Sequence, residues 1–99
     1  VAILLGMTHH NSKRLFIGGN WKMNGTREAA TLLANDLVTA FEPLAMSVDA
    51  AIFPPFPYLQ HIGGILRGSG LMLGAQQVSA DANGAFTGQV SAEMLLDIG

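Results

Sequence analysis

Leu15–Gly25 reads LFIGGNWKMNG. Its apolar part, Leu15–Trp21, has the length and composition of a short strand, and Asn24-Gly25 brings turn chemistry directly after it. Side chains alternate along a strand, so Asn20 and Lys22 are expected on one face and Trp21 on the other, free to pack under a helix. In α/β folds the C-terminal ends of the strands carry the ligand. That arrangement sets an ammonium with three donors beside an amide, where a substrate would sit. A solvated surface lysine after a strand fits the same residues equally well.

Outward from this stretch the pattern alternates. Thr26 is a plausible N-cap, and Ala30, Leu33, Leu37 and Phe41 recur at helical spacing before Pro43. Ser47–Phe53 reads as a second strand, ended by Pro54 and Pro55. Tyr58, Ile62, Ile65 and Leu66 mark a second helix, expected to be short or irregular because Gly63 and Gly64 interrupt it. Gly68-Ser69-Gly70 closes that helix, and Leu71–Val78 reads as a third strand. Residues 79–90 have no period. Ser91 caps a last helix over AEMLLDI, with Gly99 at the position of a glycine stop. The order β-α-β-α-β-loop-α predicts an α/β fold with a parallel sheet. Its first and third strands would both be open apolar edges, so the chain reads as the front of a larger domain.

Composition agrees. Of 99 residues, 49% are hydrophobic and 12% charged, about half the usual charged fraction and suited to strands buried on both faces. A net charge of −2 with five basic residues argues against a nucleic-acid partner, which needs a clustered basic surface. No apolar run approaches the roughly 18 residues of a membrane span. Cysteine is absent, which excludes disulfides and fits a reducing compartment. The glycines fit neither a dinucleotide fingerprint nor a Walker loop, and Gly68-x-Gly70 precedes a strand instead of following one. Residues 1–14 read as an N-terminal tail. Met7 is taken as the natural start, with VAILLG before it as read-through or added residues. His9 and His10 lie in polar sequence without further ligands, so no metal site is expected.

Three stretches together, FIGGNWKMNG, IFPPFPYL and GAQQVSADANGAFTGQVSAEML, resemble the triosephosphate isomerase family in order and separation. The resemblance runs from about Leu15 to Gly99. It implies the N-terminal three β/α units of an eight-stranded (β/α)8 barrel, incomplete as given, with residues 15–99 forming part of the barrel domain. It further implies interconversion of dihydroxyacetone phosphate and D-glyceraldehyde 3-phosphate by proton transfer through an enediolate, in the cytoplasm, without cofactor or metal. Lys22 would be the active-site lysine, and Asn20 its companion on substrate oxygen. The family's electrophilic histidine, glutamate base and phosphate-binding loops follow later strands and match nothing in these residues. His61 reads as a polar-face residue, and Glu28, Glu42 and Glu93 as solvated. The 99 residues alone are therefore expected to be inactive.

The resemblance also implies a homodimer through the loop 83–88. Phe86 is its apolar tip, and Thr87 and Gly88 reach toward the partner's lysine region. Gln76 matches an interface position. The family commonly has glutamate where this chain has Gln89, which puts one interface ion pair in question. Two rival readings are a non-catalytic scaffold that binds full-length subunits and, with less support, a flavodoxin-like binding module. The second lacks any phosphate loop.

Overall fold

The structure is a computed structural model that describes residues 14–99 and the backbone of Ala2–Met7. His9 and His10 lie outside the described residues. The elements are β1 (Ala2–Met7), β2 (Leu15–Asn20), α1 (Arg27–Phe41), a 3-10 turn (Glu42–Leu44), β3 (Val48–Phe53), α2 (Phe56–Leu66), β4 (Met72–Leu73) and α3 (Ala92–Asp97). The sheet order is β1-β2-β3-β4. β2, β3 and β4 run parallel, with Asn20 level with Phe53 and Ile52 level with Leu73. Helices alternate with these strands as the sequence predicts, and the sheet is open, as expected of the first β/α units of a barrel.

The alternation of β2 and β3 sorts the two faces. Ile17, Gly19, Ala50 and Ile52 face the helices, joined there by buried Trp21, Ala30, Ala34, Phe41, Ile62, Leu66 and Leu71. α1 starts where Thr26 Oγ1 accepts the Ala29 N–H at 3.1 Å, a cap of the expected kind. Its buried stripe is Ala30, Ala34 and Phe41, turned slightly from the Ala30-Leu33-Leu37-Phe41 stripe of the sequence. α2 covers the alanine side. Leu33 and Leu37 instead line an apolar hollow of about 380 Å³ with Ile17, Leu44 and Val48.

Four expectations are corrected. First, Leu15–Asn20 is not an edge, because β1 pairs with it antiparallel from Ala2↔Asn20 to Met7↔Leu15. An apolar segment placed beside an open ladder satisfies backbone groups that would otherwise face water. Second, α2 is an uninterrupted helix of 11 residues despite Gly63 and Gly64. Pro57 stands in its first turn, and Leu59, Ile62 and Leu66 bury one face. Packing outweighs the propensity loss of about 1 kcal/mol per glycine. A Cβ on Gly63 would lie 3.0 Å from Leu73 Cδ2, so the glycine admits the neighbouring strand.

Third, the strand expected over Leu71–Val78 pairs only at Met72–Leu73. The Gly74 N–H still reaches Ile52 O at 2.9 Å. Beyond that point β3 gives way to Pro54-Pro55 and offers no further ladder. Fourth, β2 stops at Asn20 and Lys22 has φ 58°. The strand alternation that would put Lys22 on the face of Asn20 therefore does not extend to it. At the opposite end of the sheet, Arg14 holds Asp49 through Nη2 at 2.9 Å and Nε at 3.3 Å, and donates to Met46 O at 2.9 Å. The Asp49 hydrogen bond raises the Arg14 pKa above its ordinary value, opposed by desolvation and aided by the Asp49 charge.

Candidate functional site

The chain leaves β2 at Asn20 and enters α1 at Arg27, and the intervening turn carries Lys22. Trp21 anchors it. The residue is 4% exposed, and its backbone N–H donates to Phe53 O at 3.2 Å, prolonging the parallel pairing by one bond. Lys22 then takes left-handed backbone, the only non-glycine described residue to do so. For a residue with a Cβ that conformation costs on the order of 1–3 kcal/mol and persists only where surrounding contacts hold it. Burial does not hold it, because Lys22 is exposed and Met23 is 95% exposed.

Hydrogen bonds do. Asn20 Oδ1 accepts the Lys22 N–H at 2.8 Å. Gln76 Nε2 donates to Lys22 O at 2.8 Å and to Phe53 O at 2.8 Å. Asn24 Nδ2 donates to Trp21 O at 3.0 Å, and Tyr58 Oη donates to Gly25 O at 3.4 Å. Gly25 has φ 106°, a conformation that leads into the Thr26 cap and favours glycine. The turn is thus stapled from β2 by Asn20, from α2 by Tyr58 and from the segment after β4 by Gln76. The sequence paired Asn20 with Lys22, and the structure shows that the amide holds the lysine's backbone. The sequence placed Gln76 at an interface position and Tyr58 on a helix, and marked neither as a partner of this turn, because they lie 54 and 33 residues from their acceptors.

Gly74 belongs to this arrangement. A Cβ there would overlap Phe53 Cε1 and lie 2.5 Å from Cδ1. Its φ is not left-handed, so the glycine supplies room for the Phe53 ring, and the Phe53 backbone carbonyl accepts from Trp21 and Gln76.

The segment after Gln76 closes on itself where the Ser79 N–H donates to Val90 O at 2.7 Å. Inside it the Gln89 N–H donates to Phe86 O at 3.0 Å, and Gly84 and Gly88 have φ 135° and 81°. The Phe86 ring lies over Gly84, where a Cβ would be 2.7 Å from Cε2. Phe86 remains 48% exposed, and Thr87 and Gly88 are exposed. Ser91 Oγ accepts the Met94 N–H at 3.2 Å and starts α3 as the sequence predicts.

The other ionisable candidates lie elsewhere. His61 is exposed, with Nε2 2.8 Å from Thr31 Oγ1. Thr31 donates its own proton to Arg27 O at 2.7 Å, so the imidazole Nε2 is the donor in that pair. Glu28, Glu42 and Glu93 are exposed. No group of three His, Cys, Asp or Glu side chains able to hold a metal occurs among the described residues. No described helix is long and apolar enough to cross a membrane.

The profile of the triosephosphate isomerase family matches residues 15–99. The triosephosphate isomerase of Magnetococcus marinus is 46% identical over 90 residues, covering 88% of this chain and 34% of that protein. The enzyme of Thiobacillus denitrificans is 48% identical over 88 residues with the same two shares. A chloroplastic triosephosphate isomerase of Secale cereale is 42% identical over 88 residues, covering 89% of this chain and 28% of its own length. The chain spans about a third of the length of the curated relatives it matches.

Proposed function

The chain belongs to the triosephosphate isomerase family, and from that premise we propose that it supplies the N-terminal β/α units of an enzyme interconverting dihydroxyacetone phosphate and D-glyceraldehyde 3-phosphate. The observation that carries this reading is the stapled left-handed turn at Lys22, beside Asn20 at the C-terminal end of a parallel strand. Strain kept at an exposed lysine by long-range hydrogen bonds is expected where the side chain has a task.

The task follows from the reaction. A base removes the proton on the carbon next to the carbonyl, and the electron pair moves onto the carbonyl oxygen. An enediolate forms, with negative charge on oxygen in a molecule that already carries a phosphate ester. The Lys22 ammonium opposes both charges. A unit charge about 4 Å from an oxyanion is worth about 4 kcal/mol at an effective dielectric near 20. A fixed donor of this kind acts without reorganisation as the charge develops. Asn20 steadies the lysine backbone and offers its NH2 to a substrate oxygen. The base and the electrophile of the reaction are assigned to parts of the family's barrel outside these residues. The loop 83–88, with Phe86 at its tip, is assigned to contact with a second copy of the protein, and Gln76 lies at its root.

The experiment is Lys22→Ala in the gene product, assayed for triose phosphate interconversion by a coupled method. The expected loss is on the order of 10²- to 10³-fold in rate. Lys22→Arg is expected to leave most of that loss in place, because a planar fork does not fit an ammonium's position. An alanine variant within a few-fold of the parent would reduce Lys22 to a surface charge.

A further inference from the structure

We propose that Gln76 is a positioning residue for Lys22, holding its backbone in the conformation that aims the ammonium; this rests on the isomerase reading above and adds a residue to it. Both hydrogens of the Gln76 amide are committed, one to Lys22 O and one to Phe53 O, each at 2.8 Å. Asn20 Oδ1 takes the Lys22 N–H. The two peptide groups flanking Lys22 are therefore gripped from opposite sides, one by each amide side chain. Burial adds nothing, since Lys22, Met23 and Gln76 are all exposed.

For a residue with a Cβ, a left-handed backbone is disfavoured by an amount equal to roughly five- to thirtyfold in population. Without the Gln76 bond, the Lys22 peptide is expected to relax toward ordinary angles by about that factor. The loss would be local. Phe53 O keeps the Trp21 N–H at 3.2 Å, and the exposed Lys22 carbonyl is open to water, so no buried polar atom is orphaned.

The test uses Gln76→Met, which keeps the side-chain length without a donor, and Gln76→Glu, which has one donor only while protonated. The backbone angle at Lys22 is read from a crystal structure or from its Cα and Cβ chemical shifts, and kcat and KM are measured across pH. In the methionine variant, Lys22 is expected to leave the left-handed region and kcat to fall about tenfold. In the glutamate variant, a carboxylate would face two carbonyl oxygens. Its activity relative to the methionine variant is expected to rise as pH falls toward the carboxyl range, about 4 to 5 for an ordinary glutamate. A merely structural role would move the unfolding midpoint without that pH dependence.

Lys22 remaining left-handed in Gln76→Met with parental kcat overturns the inference. An inactive parent in which the Lys22 angle still moves overturns the isomerase reading and leaves the positioning contact standing. If the methionine variant does not fold, the glutamate variant carries the test. Loss and recovery of the Lys22 angle with pH supports the proposal, and an angle that ignores pH overturns it.

Discussion

Gly74→Ala is a small change that drives a methyl into the Phe53 ring. The added methyl would overlap Phe53 Cε1, with Cδ1 at 2.5 Å and Cζ at 3.3 Å, where carbon atoms prefer about 3.5–4.0 Å. The ring must move by roughly an ångström or the strand must shift. The ring is half-buried, so part of the strain can be released by rotation toward solvent. Overpacking of this kind costs about 1–3 kcal/mol, and about 2 kcal/mol is expected here. With a urea m value of about 1–3 kcal/mol per molar, the midpoint should drop by about 1 M. The assay is urea unfolding at fixed protein concentration, run as a double-mutant cycle with Phe53→Ala. If the clash is the cause, removing the ring abolishes the penalty, and the double variant should be no less stable than Phe53→Ala alone. That corresponds to a coupling of about 2 kcal/mol. A Gly74→Ala protein within about 0.5 kcal/mol of the parent, or fully additive losses in the cycle, would refute the reasoning.

Two further outcomes are expected. A polypeptide of residues 1–99 alone should show no turnover above a Lys22→Ala control in the coupled assay. The base and the electrophile assigned to this reaction lie in parts of the barrel outside these residues, and measurable turnover would contradict this. Replacing Ala85, Phe86 and Thr87 by Gly, Ser and Gly in the gene product should lower the mass seen by light scattering on dilution. Burial of a phenylalanine is worth about 1.5–3 kcal/mol and would be used twice in a twofold dimer, and an unchanged mass at micromolar concentration would remove the loop from the interface.

The legible parts of this protein were those governed by neighbours in sequence. Thr26 and Ser91 cap helices through their own third following residue. The prolines after Phe53 end β3. Trp21 is buried in the helix-facing core as strand alternation requires. The parallel order of β2, β3 and β4 follows from alternation of strand and helix, because a parallel return needs a crossover. Family membership was equally local, carried by three short motifs.

Tertiary contacts decided the rest. Gly63 and Gly64 weaken a helix in isolation, yet α2 runs through them because Leu59, Ile62 and Leu66 bury a face and Leu73 closes on Gly63. β4 is short because its parallel partner ends. The edge of β2 is covered because a segment without strand expectation finds unpaired backbone there. At the site, composition and order put an amide and an ammonium two residues apart. The left-handed backbone of Lys22 depends on Gln76, 54 residues away. Strain of 1–3 kcal/mol at a lone residue is invisible to any local propensity, and only the packed sheet brings its restraining donor within 2.8 Å.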